Sequence, residues 1–319
     1  MEKAIGGYFE LELPNLGSFI HDDGLLLNSG RNAWLHILNT LKIRHLWVPY
    51  YTCGVVLSPL RGLSFPCSFY HIDKHLDIQE TLSFEKGDYL LYTNYFGIKD
   101  SYISYLAEKY KYHLIVDNSQ ALFSDPIRGV PTFYSPRKYV GVPDGGIAFC
   151  CNEGSSEQYE RDQSVSRWSH LLKRIDLGPQ EGYLEFQQND RSLETAPICQ
   201  MSALTKRLLY SIDFDRIKES RRRNFFTLLK SIQGYNLLPL PEMDSLHCPM
   251  VYPFLTHDTS LKERLIADNI FVATYWPDVI ERVHDRDIEY SLVKNLIAIP
   301  CDQRYDESDM RRIINIVLG

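Results

Sequence analysis

Between residues 24 and 149 short apolar runs alternate with helical patterns and turn residues, and no other feature limits the fold as strongly. Strands joined by crossover helices have this signature, and they assemble into a mostly parallel sheet within an α/β fold. The runs are HLWVPY (45–50), DYLLYTNYF (88–96), HLIVDNS (113–119) and GIAFCC (146–151), each ending in polar or turn residues. In open sheets of this kind ligands gather beyond the C-terminal ends of the strands, so chemistry is sought in the segments that follow these runs.

Beyond the last run the pattern changes. Residues 152–200 are polar and weakly periodic, and are read as helices and loops that cover something. An amphipathic stretch over 201–233 predicts one or two helices leading into a second region. There the sequence predicts strands at 248–255, 270–277 and 296–301 and helices at 261–269 and 307–318, a small α+β domain. The expected division is a large domain with an N-terminal arm, residues 1–210, and a small domain, residues 211–319.

Several function classes lose support on composition. The net charge is −7 and the one basic cluster is Arg221, Arg222 and Arg223, so no electrostatic surface for nucleic acid is expected. No apolar run approaches the roughly 20 residues that span a bilayer, and the N-terminus does not read as a signal peptide. Seven cysteines without metal-ligand spacing and dispersed histidines predict reduced thiols, a cytoplasmic location and no metal centre.

Three segments could carry chemistry. In LLLNSGRNAWLHILNTL, Ser29 and Gly30 precede a helical pattern, and the amides of Gly30, Arg31 and Asn32 at such a terminus suit a phosphate. In HLIVDNSQALF an apolar strand runs into Asp117, with Gln120 three residues later. An acid in that setting is costly unless a cation or hydrogen-bond donor meets it, as a protonated pyridine nitrogen would. In TFYSPRKYVGVPDGGIAF, Lys138 sits in a turn-rich segment followed by Gly145 and Gly146. A lysine among aromatic and apolar groups suits Schiff-base chemistry, and paired glycines mark a sharp bend or a close backbone approach. Each segment alone has an ordinary reading as a cap, a turn acid or a surface lysine. Together they supply the anchors that pyridoxal 5'-phosphate (PLP) requires: a phosphate cradle, an acid for the ring nitrogen and a lysine for the aldehyde.

At these residues the chain resembles the nucleotide-sugar aminotransferases of the DegT or StrS type, a fold-type-I PLP family. The resemblance runs from SGRNA through FYHIDKHLDI, NYFGI and DNSQA to LIAIPCDQRYDESDM. It implies an aspartate-aminotransferase-like three-layer fold with a mostly parallel central sheet and a smaller C-terminal α+β domain. It also implies Asp117 on the pyridine nitrogen, Gln120 near the ring hydroxyl and Lys138 as the cofactor lysine. Ser135 is the available match for a phosphate-binding serine, and Tyr51, just before Cys53, is the favoured ring-stacking aromatic. The family's Gly-Glu-Gly-Gly is here Pro143, Asp144, Gly145 and Gly146, and its inter-subunit Asn loop has no counterpart in QQNDRSLETAP.

The activity implied is conversion of a keto sugar, nucleotide-linked in the family's manner, to an amino sugar with an amino-acid donor such as glutamate, in sugar and polysaccharide biosynthesis by a homodimer. Two alternatives stand beside it. One is a PLP-dependent sugar modification other than transamination, found in relatives that replace the lysine with histidine, a change Lys138 argues against. The other is a degenerate, non-catalytic chain with a binding or assembly role.

Overall fold

The computed structural model describes residues 5–62, 65–150, 158–242 and 246–319. Its central sheet has seven strands: β1 (Leu25–Leu27), β2 (His45–Pro49), β3 (Cys67–Tyr70), β4 (Asp88–Thr93), β5 (Leu114–Asp117), β6 (Thr132–Tyr134) and β7 (Gly146–Phe149). They hydrogen-bond in the order β1-β7-β6-β5-β4-β2-β3, parallel from β3 through β6, with β7 antiparallel to both of its neighbours.

Both faces of this sheet are covered, which is why its strands are apolar throughout rather than alternating with polar residues. Leu91 and Ile115 point to one face, where they meet Ala33, Trp34, Ile37 and Leu38 of helix α1 (Gly30–Thr40). Leu90, Tyr92, Leu114 and Val116 point to the other, where helix α3 (Asp100–Tyr110) contributes Ile103, Leu106 and Ala107. The two sets alternate by one residue along each strand, as the period of a strand requires. Helix α2 (Gly54–Leu57) follows β2.

After β7 come α4 (Ser169–Asp176), α5 (Tyr183–Glu194), α6 (Ala203–Tyr210) and the long α7 (Phe214–Ile232). The remaining elements are β8 (Tyr252–Leu255), α8 (Leu261–Ala267), α9 (Ile288–Asn295), β9 (Leu296–Ile299) and α10 (Glu307–Leu318). β8 and β9 pair antiparallel as a two-stranded sheet, with Tyr252 opposite Ile299 and Leu255 opposite Leu296. Phe225, Phe254 and Ile299 belong to the same buried cluster as Tyr92 and Val116, so the C-terminal region shares a core with the large sheet.

One expected strand is absent. Within 270–277 only an isolated bridge forms, between Ala273 and Ala298. Trp276 then takes a left-handed conformation at φ 49°, and Pro277–Glu281 makes a 3-10 turn. Pro277 cannot donate to a ladder, and the Trp276 ring buries edge-on against Tyr51 at 4.7 Å between centroids. Three strands went unread in the sequence: β1 and β6 have only three residues, too few for a period of two to show, and β3, at the sheet edge, is buried at only one of its four residues and lacks a continuous apolar run. Of the expected run 146–151, Cys151 lies outside the described residues.

Candidate functional site

Ser29 caps α1, its hydroxyl accepting the Asn32 amide at 3.1 Å. That turn is seated on the sheet by the paired glycines. Ser29 and Gly145 form a parallel bridge, and a Cβ on Gly146 would stand 2.0 Å from the Ser29 carbonyl oxygen, so only glycine allows β7 to come this close. Gly145 itself has φ +124°, a conformation that side chains rarely adopt. Gly30, first in the helix, faces the segment after β6: a Cβ there would meet the Ser135 Cβ at 3.0 Å. From Ser135 the chain enters a 3-10 turn, Pro136–Lys138, which carries the lysine.

The neighbouring strand supplies the acid. β5 is buried at all four of its residues and ends in Asp117, whose carboxylate accepts the Ser119 amide at 2.8 Å. Lys138 Nζ donates to Ser119 Oγ at 3.0 Å, so lysine and acid are linked through one serine. Asp117 is 2% exposed, and burial pushes its carboxyl above the usual range against the opposing pull of the Lys138 ammonium and of the Ser119 hydrogen bonds. Gln120 accepts the Phe96 amide at 2.8 Å through Oε1, while its Nε2 is buried without a partner.

Ser29, Gly30, Arg31, Ser119, Ser135 and Lys138 line a cavity of about 210 Å³. Cys53 and Val55 form one wall, and Asp190 and Glu194 of α5 another. Arg137 pairs with Asp190 at 2.5 Å and ties α5 to the lysine turn. Among the described residues no cluster of histidines, cysteines and carboxylates is arranged to hold a metal ion.

The structure thus brings Gly30, Arg31, Ser135 and Lys138 to one cavity, with Asp117 and Gln120 on either side of Ser119 in the chain. It treats two expected residues differently. Asn32 is fully buried: its amide is taken by Ser29, and its side chain donates to Asn28 Oδ1 and the Pro197 carbonyl, each at 2.8 Å. It therefore braces the α1 terminus and has no amide left for a phosphate. Tyr51 is also fully buried, among Tyr95 and Trp276, and does not line the cavity. The turn after β2 sends Tyr51 into the core and presents Cys53 instead. Ser119, Cys53 and the α5 carboxylates were not singled out in the sequence. Ser119 had a signal, since Asp-Asn-Ser after a strand marks a turn whose acid caps the amide two residues on.

No family model and no curated protein sequence matches this chain. Its fold, however, is that of solved sugar aminotransferases. A DegT DnrJ EryC1 StrS aminotransferase from Brucella abortus superposes over 92% of this chain and 85% of its own, with TM-score 0.59 and 14% identity. A candidate sugar aminotransferase from Streptococcus pneumoniae, in its PLP form, covers 92% and 86% with TM-score 0.62 and 14% identity. The GDP-4-keto-6-deoxymannose-3-dehydratase ColD, with bound GDP-perosamine, covers 92% and 87% with TM-score 0.61 and 15% identity. At these identities the likeness is one of fold.

Proposed function

We propose that the protein is a PLP-dependent aminotransferase converting a keto sugar, nucleotide-linked, to an amino sugar with an amino-acid donor. The observation that carries this reading is the convergence, on one cavity, of Lys138 with the Gly30 end of α1 and Ser135, above a buried acid reached through Ser119.

The residues present fit the cofactor at its polar anchors. Gly30, Arg31 and Ser135 would hold the phosphate. Asp117, an acid whose burial is costly and whose nearest cation is Lys138, suits a protonated ring nitrogen, and the unpartnered Gln120 Nε2 is a donor for the ring hydroxyl. Tyr51, the aromatic expected against the ring, is buried elsewhere, and the cavity wall after β2 is formed by Cys53 and Val55. PLP, when bound, supplies an electron sink that stabilises negative charge at the substrate carbon. Lys138 would hold the cofactor aldehyde until the donor's amine displaces it, and the freed lysine would move a proton to and from that carbon as general base and acid. Asp117 keeps a proton at the ring nitrogen, an interaction that strengthens as charge develops.

The likeness to ColD supports a second reading, a PLP-dependent sugar modification other than amino transfer; Lys138 favours transamination. We further propose a homodimer. The helices α4 and α5 leave Ile175 80% and Leu184 70% exposed, with Leu177, Tyr183 and Phe186 beside them in the chain also exposed, an apolar surface of the kind that marks an interface.

The test is the absorbance spectrum of wild type and Lys138→Ala with added PLP, before and after borohydride. A visible band that borohydride fixes covalently to Lys138, and that the variant lacks, is expected. A folded wild type with no such band would overturn the PLP reading and leave a binding or assembly role. With the band present, production of amino sugar from a keto sugar and glutamate separates transamination from dehydration.

A further inference from the structure

A second cavity, of about 520 Å³, lies beside the edge strand β1, and is more than twice the 210 Å³ of the Lys138 cavity. It is bounded by Asn15 and Asp22 of the N-terminal segment, by Leu25 and Leu26 of β1, by Arg161 and Gln200, and by one side of α6. The two cavities share no lining residue.

Its charge is uneven. Arg161, Lys206 and Arg207 face it, against Asp22 as the one carboxylate in the wall. Among the described residues neither Arg161 nor Lys206 has a side-chain hydrogen bond or ion pair, and Arg207 meets only the exposed Glu10, at 3.8 Å. Most other arginines near the fold's interior are matched: Arg137 to Asp190, Arg167 to Asp162, Arg282 to Asp278 and Arg304 to Asp302. A chain of net charge −7 that gathers unmatched cations around one concavity concentrates positive potential there, and low-dielectric walls focus it.

The positions of these cations are fixed by the fold. Arg161 is held by a parallel bridge to Gln200, which also brings the start of α6 against the sheet edge, with the Met201 amide donating to the Leu26 carbonyl at 3.1 Å. Lys206 and Arg207 follow on α6, whose Ser202 cap is in turn bound by Asp144, the Ser202 amide donating to it at 3.2 Å. The floor between them is apolar, with Leu25, Leu26 and Met201. A ligand that matches the whole surface carries two or more negative charges on a compact group and an uncharged body to lie on the floor.

We propose that this cavity binds the diphosphate group of an organic phosphate through Arg161, Lys206 and Arg207. Guanidinium and ammonium groups from two elements can then share the anionic oxygens in charge-assisted hydrogen bonds.

The probe is inorganic pyrophosphate, titrated calorimetrically at low ionic strength into wild type, the Arg161→Gln/Lys206→Gln double variant and Arg31→Gln, with melting curves to show that each is folded. Both substituted residues of the double variant are exposed, so it should melt like wild type. Wild type is expected to bind, and the double variant to lose that binding by at least about tenfold. Arg31→Gln, altered in the other cavity, should retain it. If pyrophosphate also enters the Lys138 cavity, two classes of site appear, and the double variant abolishes the one that Arg31→Gln keeps. No binding by wild type, or a double variant that keeps every class of site, overturns the proposal.

Discussion

Asp117 is held in the folded chain in a way that works against its ionised form, because burial raises its carboxyl above the usual range more than Lys138 and Ser119 pull it down. A carboxyl raised by folding contributes stability while it is protonated, below its unfolded value, and loses that contribution as pH rises through the folded value. Ionising this acid without a cofactor therefore works against the fold, a cost that a cationic partner at the carboxylate would relieve. Asp117→Asn preserves the shape and an oxygen to accept the Ser119 amide while removing the charge. The cofactor-free variant should be more stable than wild type at pH 7, by on the order of 1 kcal/mol or about 2 °C in melting temperature, and no more stable at pH 4. It should also retain PLP less well. A variant less stable than wild type at pH 7 would mean that Lys138 already compensates the carboxylate.

At the scale of elements, the site depends on how closely α1, β7 and the lysine turn meet. Gly146 is the point of nearest approach, and Gly146→Ala places a carbon 2.0 Å from the backbone oxygen of Ser29, where no flexible side chain can yield. The strand must shift, with an expected cost of about 2–3 kcal/mol in urea denaturation and weakened PLP retention, since Ser29 and Gly30 move with it. Gly62→Ala is the control, because a Cβ there meets nothing within 4 Å. An equal, small effect at both positions would remove the junction from the account of the site. On the other side of Lys138 the turn is held by the C-terminal region. The buried Arg221 of α7 stacks over the Tyr139 ring at 4.5 Å and donates to the carbonyls of Tyr139 and Met250, at 3.3 and 2.9 Å, and Gln303 donates to Tyr139 as well. Two of the three arginines of the basic cluster are therefore engaged: Arg221 is buried, and Arg222 donates to the carbonyls of Leu246 and His247.

At the scale of the whole molecule, the exposed apolar side chains of α4 and α5 predict self-association. Sedimentation of wild type should give a dimer, and Ile175→Glu/Leu184→Glu should shift it to monomer with its melting curve little changed, because both side chains are already in solvent. A monomeric wild type, or a variant that remains a dimer, would remove this face from the interface. The sequence by itself determined the mostly parallel sheet and marked Asp117 and Lys138 as candidates in the segments that follow its strands. These follow from local pattern: buried strands are continuously apolar, and an acid or lysine at a strand end is conspicuous against them. Only the tertiary structure decided which neighbours those residues meet. Tyr51 and Cys53 are two positions apart, yet one turn buries the first beneath Trp276 and gives the second to the cavity. Asn32 was expected at the phosphate and is consumed by bonds to residues 28, 29 and 197. Arg161, Lys206 and Arg207 read as scattered surface charges until the bridge to Gln200 gathers them around one concavity. Such partners are remote in the chain, and spacing carries no record of contacts made across it.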